Sequence, residues 1–425
     1  MSFQTDEEFA RSLDAADPLG HFRGRFLFPR QADGTPYVYL CGHSLGLQPA
    51  TARRFVEQEL DDWARLGVEG HFAGKTPWYS YHEIFREQGA RLVGARPGEV
   101  VMMNSLTLNL HLMLATFFQP RAQRRTILID GPAFPSDLFA VQTHLRHRGC
   151  DPHDDLIVLG PRRGDDCVRM EDVASLLDQR GQEIAVILWN GVNFFTGQFF
   201  DIERLAALAR QHGCVLGLDL AHAAGNVVLR LHDWQVDFAV WCNYKYLNSG
   251  PGAVAGCFVH EKHGRNAELP RLAGWWGTDP ATRFEMKNFD FTPQAGADGW
   301  QVSNPPILAM APLRASLDLF DEAGMAELRA KSEKMTEYLL RLLEPPEGRE
   351  YSIITPTAKA ERGCQLSLRV AHQAREWFQS LHAAGVLCDL REPDVIRVAP
   401  VPLYNSFYDV WTFAKALGHA STKRR

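Results

Sequence analysis

Two stretches in the middle of the chain decide the fold: Cys214-Val-Leu-Gly-Leu-Asp-Leu220 and Val236-Asp-Phe-Ala-Val-Trp-Cys242. Each is apolar throughout instead of alternating, the pattern of a strand covered on both faces. Glu183-Ile-Ala-Val-Ile-Leu-Trp189 repeats it upstream. Between these runs, Asp201 offers an N-cap to a helix over Ile202–His212, with Leu205, Leu208 and Ala209 at helical spacing and Gly213 at the C′ position. Buried strands separated by helices predict an α/β fold with a mostly parallel sheet.

In such sheets ligands bind beyond the carboxyl ends of the strands. Asp219 ends one strand and Lys245 follows the end of the next, so both face one crevice. An acid and an amine there suit a plain ion pair or a pyridoxal-5′-phosphate (PLP) site. In the second case the lysine carries the cofactor as a Schiff base, and the aspartate keeps the pyridine nitrogen protonated so that the ring acts as an electron sink. His222 is placed to orient that carboxylate or stack on the ring; alone it reads as a structural histidine.

The rest of the chain bounds the problem. It has 425 residues, 45% apolar and 23% charged, with net charge -6. That balance suits a globular chain and gives no reason to expect nucleic acid or an anionic membrane as partner. The apolar runs have strand length, too short to span a bilayer. The acidic start Met1-Ser-Phe-Gln-Thr-Asp-Glu-Glu8 has no signal-peptide character. Eight scattered cysteines with no CxxC pair lead us to expect a reduced, cytoplasmic setting. The short basic tail Lys423-Arg-Arg425 reads as a frayed terminus. A charged helix over about Asp321–Leu343, a turn-rich Glu344-Pro-Pro-Glu-Gly348 and shorter elements beyond suggest a smaller α+β domain. The expected division is a large domain over 51–315 and a small one over 316–425, which residues 1–50 join.

The motifs carry a resemblance. Asp219-Leu-Ala-His222 and Trp241-Cys-Asn-Tyr-Lys-Tyr-Leu-Asn248 resemble the fold-type-I PLP enzymes of the class V aminotransferase superfamily and, within it, the kynureninase family. So do Ser44-Leu-Gly-Leu-Gln-Pro49, Gly70-His-Phe72 with Gly74-Lys-Thr-Pro-Trp78, Asn104-Ser-Leu-Thr-Leu-Asn-Leu-His111 and Phe134-Pro-Ser-Asp137. Phe195-Thr-Gly-Gln198, Leu231-His-Asp-Trp234, Ser303-Asn-Pro-Pro306 and Arg397-Val-Ala-Pro-Val-Pro-Leu-Tyr-Asn405 complete the series. The match spans roughly residues 40–408 in the family's order.

The resemblance implies a large domain with a seven-stranded sheet, PLP as cofactor, and a hydrolase of tryptophan catabolism and NAD biosynthesis. Its reaction splits the Cβ–Cγ bond of L-kynurenine into anthranilate and L-alanine. 3-Hydroxykynurenine would be accepted as the lesser substrate. Leu106 and Thr107, expected before a helix over Leu108–Phe118, would hold the phosphate. Phe134 would stack on the ring beside Ser136 and Asp137; without the family match this tetrapeptide is merely a turn. Asn190 would touch the cofactor, and Tyr244 would bond the phosphate or relay protons. His71, Ser303 and Asn304 would frame the aryl ring, and Arg397 would clamp the α-carboxylate. Trp275 and Asn304 would reach the cofactor from a neighbouring subunit, implying a homodimer with shared active sites.

His43, Asn190 and Asn243 depart from the family's habit; Asn243 keeps an amide that would serve the phosphate. His147, Cys150, His153 and Asp154 have no spacing that suits a metal. Gly250-Pro-Gly-Ala-Val-Ala-Gly256 spells no dinucleotide fingerprint and reads as close packing near the cofactor. No Gly-x-Ser-x-Gly elbow is present. Two rivals stand beside the main reading. A cysteine desulfurase-like lyase would need Cys364 as its nucleophile, and a non-catalytic PLP-fold binding protein would have little use for Asp219, Lys245 and Arg397 together.

Overall fold

The computed structural model describes residues 3–287, 290–344 and 350–422; the expected turn at 344–348 and the basic tail fall almost wholly outside them. Seven strands form the central sheet: β1 (Val100–Met103), β2 (Thr126–Asp130), β3 (Leu156–Leu159), β4 (Ile184–Asn190), β5 (Val215–Asp219), β6 (Phe238–Cys242) and β7 (Ala255–Val259). Their spatial order is β1-β7-β6-β5-β4-β2-β3. Only β7 runs antiparallel to its neighbours. The fold is therefore the α/β, mostly parallel architecture that the sequence predicts.

Alternate side chains feed opposite faces. Ile187, Trp189, Leu216, Leu218 and Trp241 join one apolar core. Val186, Leu188, Ile127, Ile129 and Val240 join the other. Gly217 has no side chain because the Phe238 ring of β6 fills that space; a Cβ would lie 2.0 Å from it. The helix expected after β4 runs Ile202–Gln211, with the Asp201 carboxylate accepting the Arg204 N–H at 3.0 Å and Gly213 at φ +66° beyond its end.

A helix over Ile307–Ala323 runs unbroken across residue 315. Its Met310, Leu313, Leu317 and Phe320 pack in the core of the large sheet. Gly324 (φ +75°) separates it from a second helix, Met325–Leu342, so the charged helix begins after that glycine and not at Asp321. Beyond it, β8 (Tyr351–Ile353), β9 (Leu366–Val370), β10 (Asp389–Arg391) and β11 (Val395–Val398) form an antiparallel sheet in the order β8-β9-β11-β10. Its core takes Leu366, Leu368, Ile396 and Val398, together with Ala10, Leu13 and Leu40 from the chain's beginning. Val38–Tyr39 also pairs, in parallel, with Val386–Leu387.

Candidate active site

The carboxyl ends of the parallel strands converge. Asn190 and Asp219 are register partners across β4 and β5, and the turn carrying Lys245 follows β6. Lys245 Nζ lies 3.1 Å from His222 Nε2 and 5.7 Å from the centre of the Phe134 ring. Asp219 Oδ1 accepts the Ala221 N–H at 2.6 Å. His222 is fully buried; burial, then Lys245 and Arg397, hold its pKa well below the ordinary histidine value. It is therefore neutral and can accept a hydrogen bond from the lysine amine.

Gly46 of the Ser44–Pro49 motif explains how the lysine turn is held. Its N–H donates to the Tyr244 carbonyl at 2.8 Å. A Cβ there would meet the Lys245 carbonyl oxygen and Asn248 Oδ1, each at 2.3 Å, so only glycine permits this approach. Of the glycine-rich stretch, Gly256 makes a similar approach to the Trp241 indole.

Asp137 and Asp219 line one small buried cavity with Asp130 and Asn190. Burial, then Asp219, raises the Asp137 carboxyl well above the usual range. Its Oδ1 and His222 Nδ1 are buried without a hydrogen-bond partner among the described residues. Two facing carboxyls with an unused oxygen lack a donor and a positive charge, and a protonated pyridine supplies both. At the far end, Leu106 and Thr107 do not precede a helix: they open it, at Leu106–Phe117. The Ser105 side chain makes no capping bond, so the first-turn N–H groups face out beside Thr107 Oγ1 and Ser136 Oγ, which lie 2.8 Å apart. That is an anion cradle. Phe134-Pro-Ser-Asp137 is likewise no turn; Pro135 opens the helix Pro135–His147. The donor set fits PLP.

Some expected contacts are spent elsewhere. The Asn190 amide donates to Asp130 at 2.8 Å, and Asn193, which the sequence reading passed over, adds a second amide to Asp130 at 3.1 Å. Asn243 is fully buried, and its amide donates to the Val254 carbonyl at 2.9 Å. The Tyr244 phenol is raised by burial, so it stays protonated at neutral pH.

Arg397 is fully buried in β11. Period-two alternation turns Ile396 and Val398 into the small core and Arg397 to the opposite side, where Nη1 donates to the Phe194 carbonyl at 2.6 Å and Nη2 to Asp389 Oδ2 at 2.6 Å. Asp389, its cross-strand partner, carried no signal in the sequence.

Four expected site residues stand apart. Trp275 is 45% exposed, packs edge-on to Trp276 and donates its indole N–H to the Arg283 carbonyl at 2.8 Å. Ser303 and Asn304 are exposed, and His71 sits edge-on to Trp78 at 5.5 Å. Among the described residues no hydrogen bond, ion pair or ring contact links these four to Lys245, Asp219 or Phe134.

Cys364, the residue a desulfurase would need, is fully buried and its thiol is pushed up to about 12 by burial. Among the described residues one group could hold a metal ion, Glu99, His232 and His260, which the sequence reading did not single out. Both Glu99 oxygens already accept hydrogen bonds, from the Arg96 and Glu261 N–H groups and from His232.

The sheet order and the lysine–aspartate–histidine constellation at its carboxyl edge define a PLP-dependent enzyme of fold type I. Solved structures agree on the fold: a cysteine desulfurase from Escherichia coli superposes with a TM-score of 0.76 at 17% identity, covering 95% of this chain and 98% of that one. A C-DES variant with glycine covalently linked to its PLP cofactor gives 0.74 at 18%, covering 90% and 96%. In sequence, the Kynureninase C-terminal domain family matches residues 328–417. Curated kynureninases from Koribacter versatilis (54% identity; 97% of this chain and 97% of the relative), Xanthomonas oryzae (56%; 95% and 96%) and Myxococcus xanthus (53%; 98% and 98%) match nearly end to end. The chain belongs to the kynureninase family.

Proposed function

We propose that this protein hydrolyses the Cβ–Cγ bond of L-kynurenine to anthranilate and L-alanine with PLP carried on Lys245. The observation that carries the reading is the group of buried Asp219 and His222 with half-buried Lys245 at one sheet edge. When bound, PLP supplies an electron sink for negative charge developing on the substrate carbons.

The chain's own groups do the rest. With PLP bound, Asp219 would keep the pyridine nitrogen protonated and Phe134 would pack against the ring. Leu106, Thr107 and Ser136 would hold the phosphate. Lys245 Nζ removes the Cα proton, with neutral His222 fixing the amine in place. Tyr244, protonated, donates to the γ-carbonyl oxygen as water adds there, and Arg397 anchors the α-carboxylate. His71, Ser303, Asn304 and Trp275 are best supplied by a second copy of the chain. Exposed Trp63, Val68 and Phe72, at 60%, 73% and 62%, offer apolar surface for such a homodimer. Hydrogen-bonding groups at His71 and Asn304 support acceptance of 3-hydroxykynurenine, with kynurenine preferred. Eight free cysteines support a cytoplasmic setting, and among the described residues no helix is long and apolar enough to cross a membrane. Gly324 is the natural division between large and small domains.

The test is anthranilate fluorescence from kynurenine with the wild type and Lys245→Ala. The wild type releases anthranilate and the variant does not; normal turnover by the variant refutes the reading.

A further inference from the structure

The loop Cys41-Gly-His43-Ser44 brings a histidine against the Arg397 pair. His43 is fully buried, and neither ring nitrogen has a hydrogen-bond partner among the described residues. Its Nε2 lies 3.7 Å from Asp389 Oδ2, and its ring centre is 6.4 Å from that of His222. It therefore stands between the lysine end of the site and the arginine end. Gly42 pins the loop: a Cβ there would lie 2.2 Å from the Tyr404 hydroxyl.

One oxygen, Asp389 Oδ2, serves three neighbours. It accepts Arg397 Nη2 at 2.6 Å and Arg391 Nη2 at 3.2 Å, and it faces His43. The Nε atoms of Arg391 and Arg397 are buried and unpartnered among the described residues, like both nitrogens of His43. Buried polar atoms are almost always satisfied, so orphaned donors gathered in one network point to an acceptor that arrives with the ligand. The charges agree. Two guanidinium groups and one carboxylate leave one positive charge, since burial, then Arg397 and Arg391, keep His43 neutral. A single carboxylate completes the network.

We propose that His43 is a second binding residue for the substrate's α-carboxylate, beside Arg397, and that Asp389 is the positioning residue that orients both. The inference rests on the reading of Arg397 as the carboxylate anchor.

The holoenzyme tests it through steady-state kinetics of His43→Leu and His43→Asn on kynurenine. The companion measurement is inhibition by the amine analogue of kynurenine that lacks the α-carboxylate. A hydrogen bond to a charged group is worth roughly a tenfold to hundredfold change in affinity. His43→Leu is expected to raise KM by about that factor with kcat within about threefold, while the inhibition constant of the decarboxylated amine stays within about threefold. His43→Asn, which keeps a donor, is expected to restore most of the KM. An unchanged KM in His43→Leu, or equal weakening of kynurenine and the decarboxylated amine, overturns the proposal. Should His43→Leu fail to fold, His43→Ala replaces it: removal of the donor raises KM for kynurenine alone if the proposal holds. Arg397→Gln separates the two readings. If it leaves KM unchanged, the anchor itself is misassigned; if it raises KM while the His43 variants do not, only the role of His43 falls.

Discussion

Substituting Gly46 by alanine tests whether this loop sets the position of Lys245. The new methyl group would start 2.3 Å from the Lys245 carbonyl oxygen and 2.8 Å from Asn248 Cα. Comfortable carbon–oxygen contact needs about 3.3 Å, so the two segments must part by roughly 1 Å. Both obstacles include backbone, and the Gly46 N–H to Tyr244 carbonyl bond at 2.8 Å resists the separation. Overpacking of this kind costs about 1–3 kcal/mol of stability. A displacement of ~1 Å in a reacting group costs on the order of 100-fold in rate. Lys245 Nζ, now 3.1 Å from His222, would lose that contact. We therefore expect Gly46→Ala to fold with a lowered Tm, to bind PLP, and to release anthranilate with kcat about 100-fold down. Gly24→Ala is the control, since no atom lies within 4 Å of its Cβ position. A Gly46→Ala enzyme with kcat within threefold of wild type and unaltered Tm would show that this contact does not position the lysine.

Stability should fall on mild acidification. His82 has its pKa pushed down to about 3 by burial, then Arg86 and Arg283, and His144 to about 4 by burial, then Arg148. Unfolded histidines titrate near 6.5, so below that pH the unfolded chain binds protons that the folded chain refuses. Each such group removes about 0.8 kcal/mol between pH 7.5 and 6.0. Asp298, pushed up to about 6 by burial, offsets about 0.4 kcal/mol of that loss over the same interval, because the folded carboxyl takes up protons there. Urea midpoints at fixed protein concentration should show the loss, and His82→Asn should reduce it by about that amount; an identical pH dependence in the variant rejects the assignment. Cys364→Ala should keep anthranilate release within threefold, because a buried thiol held protonated has no nucleophilic role. A hundredfold loss would reopen the desulfurase reading. Sedimentation should give about twice the 47.8 kDa of one chain, and Trp275→Ala should raise KM without dissociating the pair; a fully active monomer would remove the shared-site reading.

Much of the site was legible because some features are one-dimensional. Apolar runs ending at Asp219 and Cys242 locate the carboxyl ends of neighbouring parallel strands, and those ends place Asp219 and Lys245 together. Pro135 at a first helical position was a usable signal for the helix that carries Ser136 and Asp137, and reading the tetrapeptide as a turn missed it. Reading the helix from Leu108 made the same kind of error by two residues, because Ser105 is an N-cap by backbone shape without a capping bond.

What the sequence by itself determined is the pattern of buried strands, the lysine and the aspartate at neighbouring strand ends and, through the motifs, the family. Only the tertiary structure decided the surroundings of Arg397. Asp389 meets Arg397 through antiparallel register between two short strands, and His43 reaches both from a loop more than three hundred residues away in the chain. Hydrogen bonds and ion pairs of this kind depend on distance in space, and neither composition nor local periodicity records it. The sequence displayed these residues as ordinary polar positions; packing of the small sheet against the large domain made them one buried network.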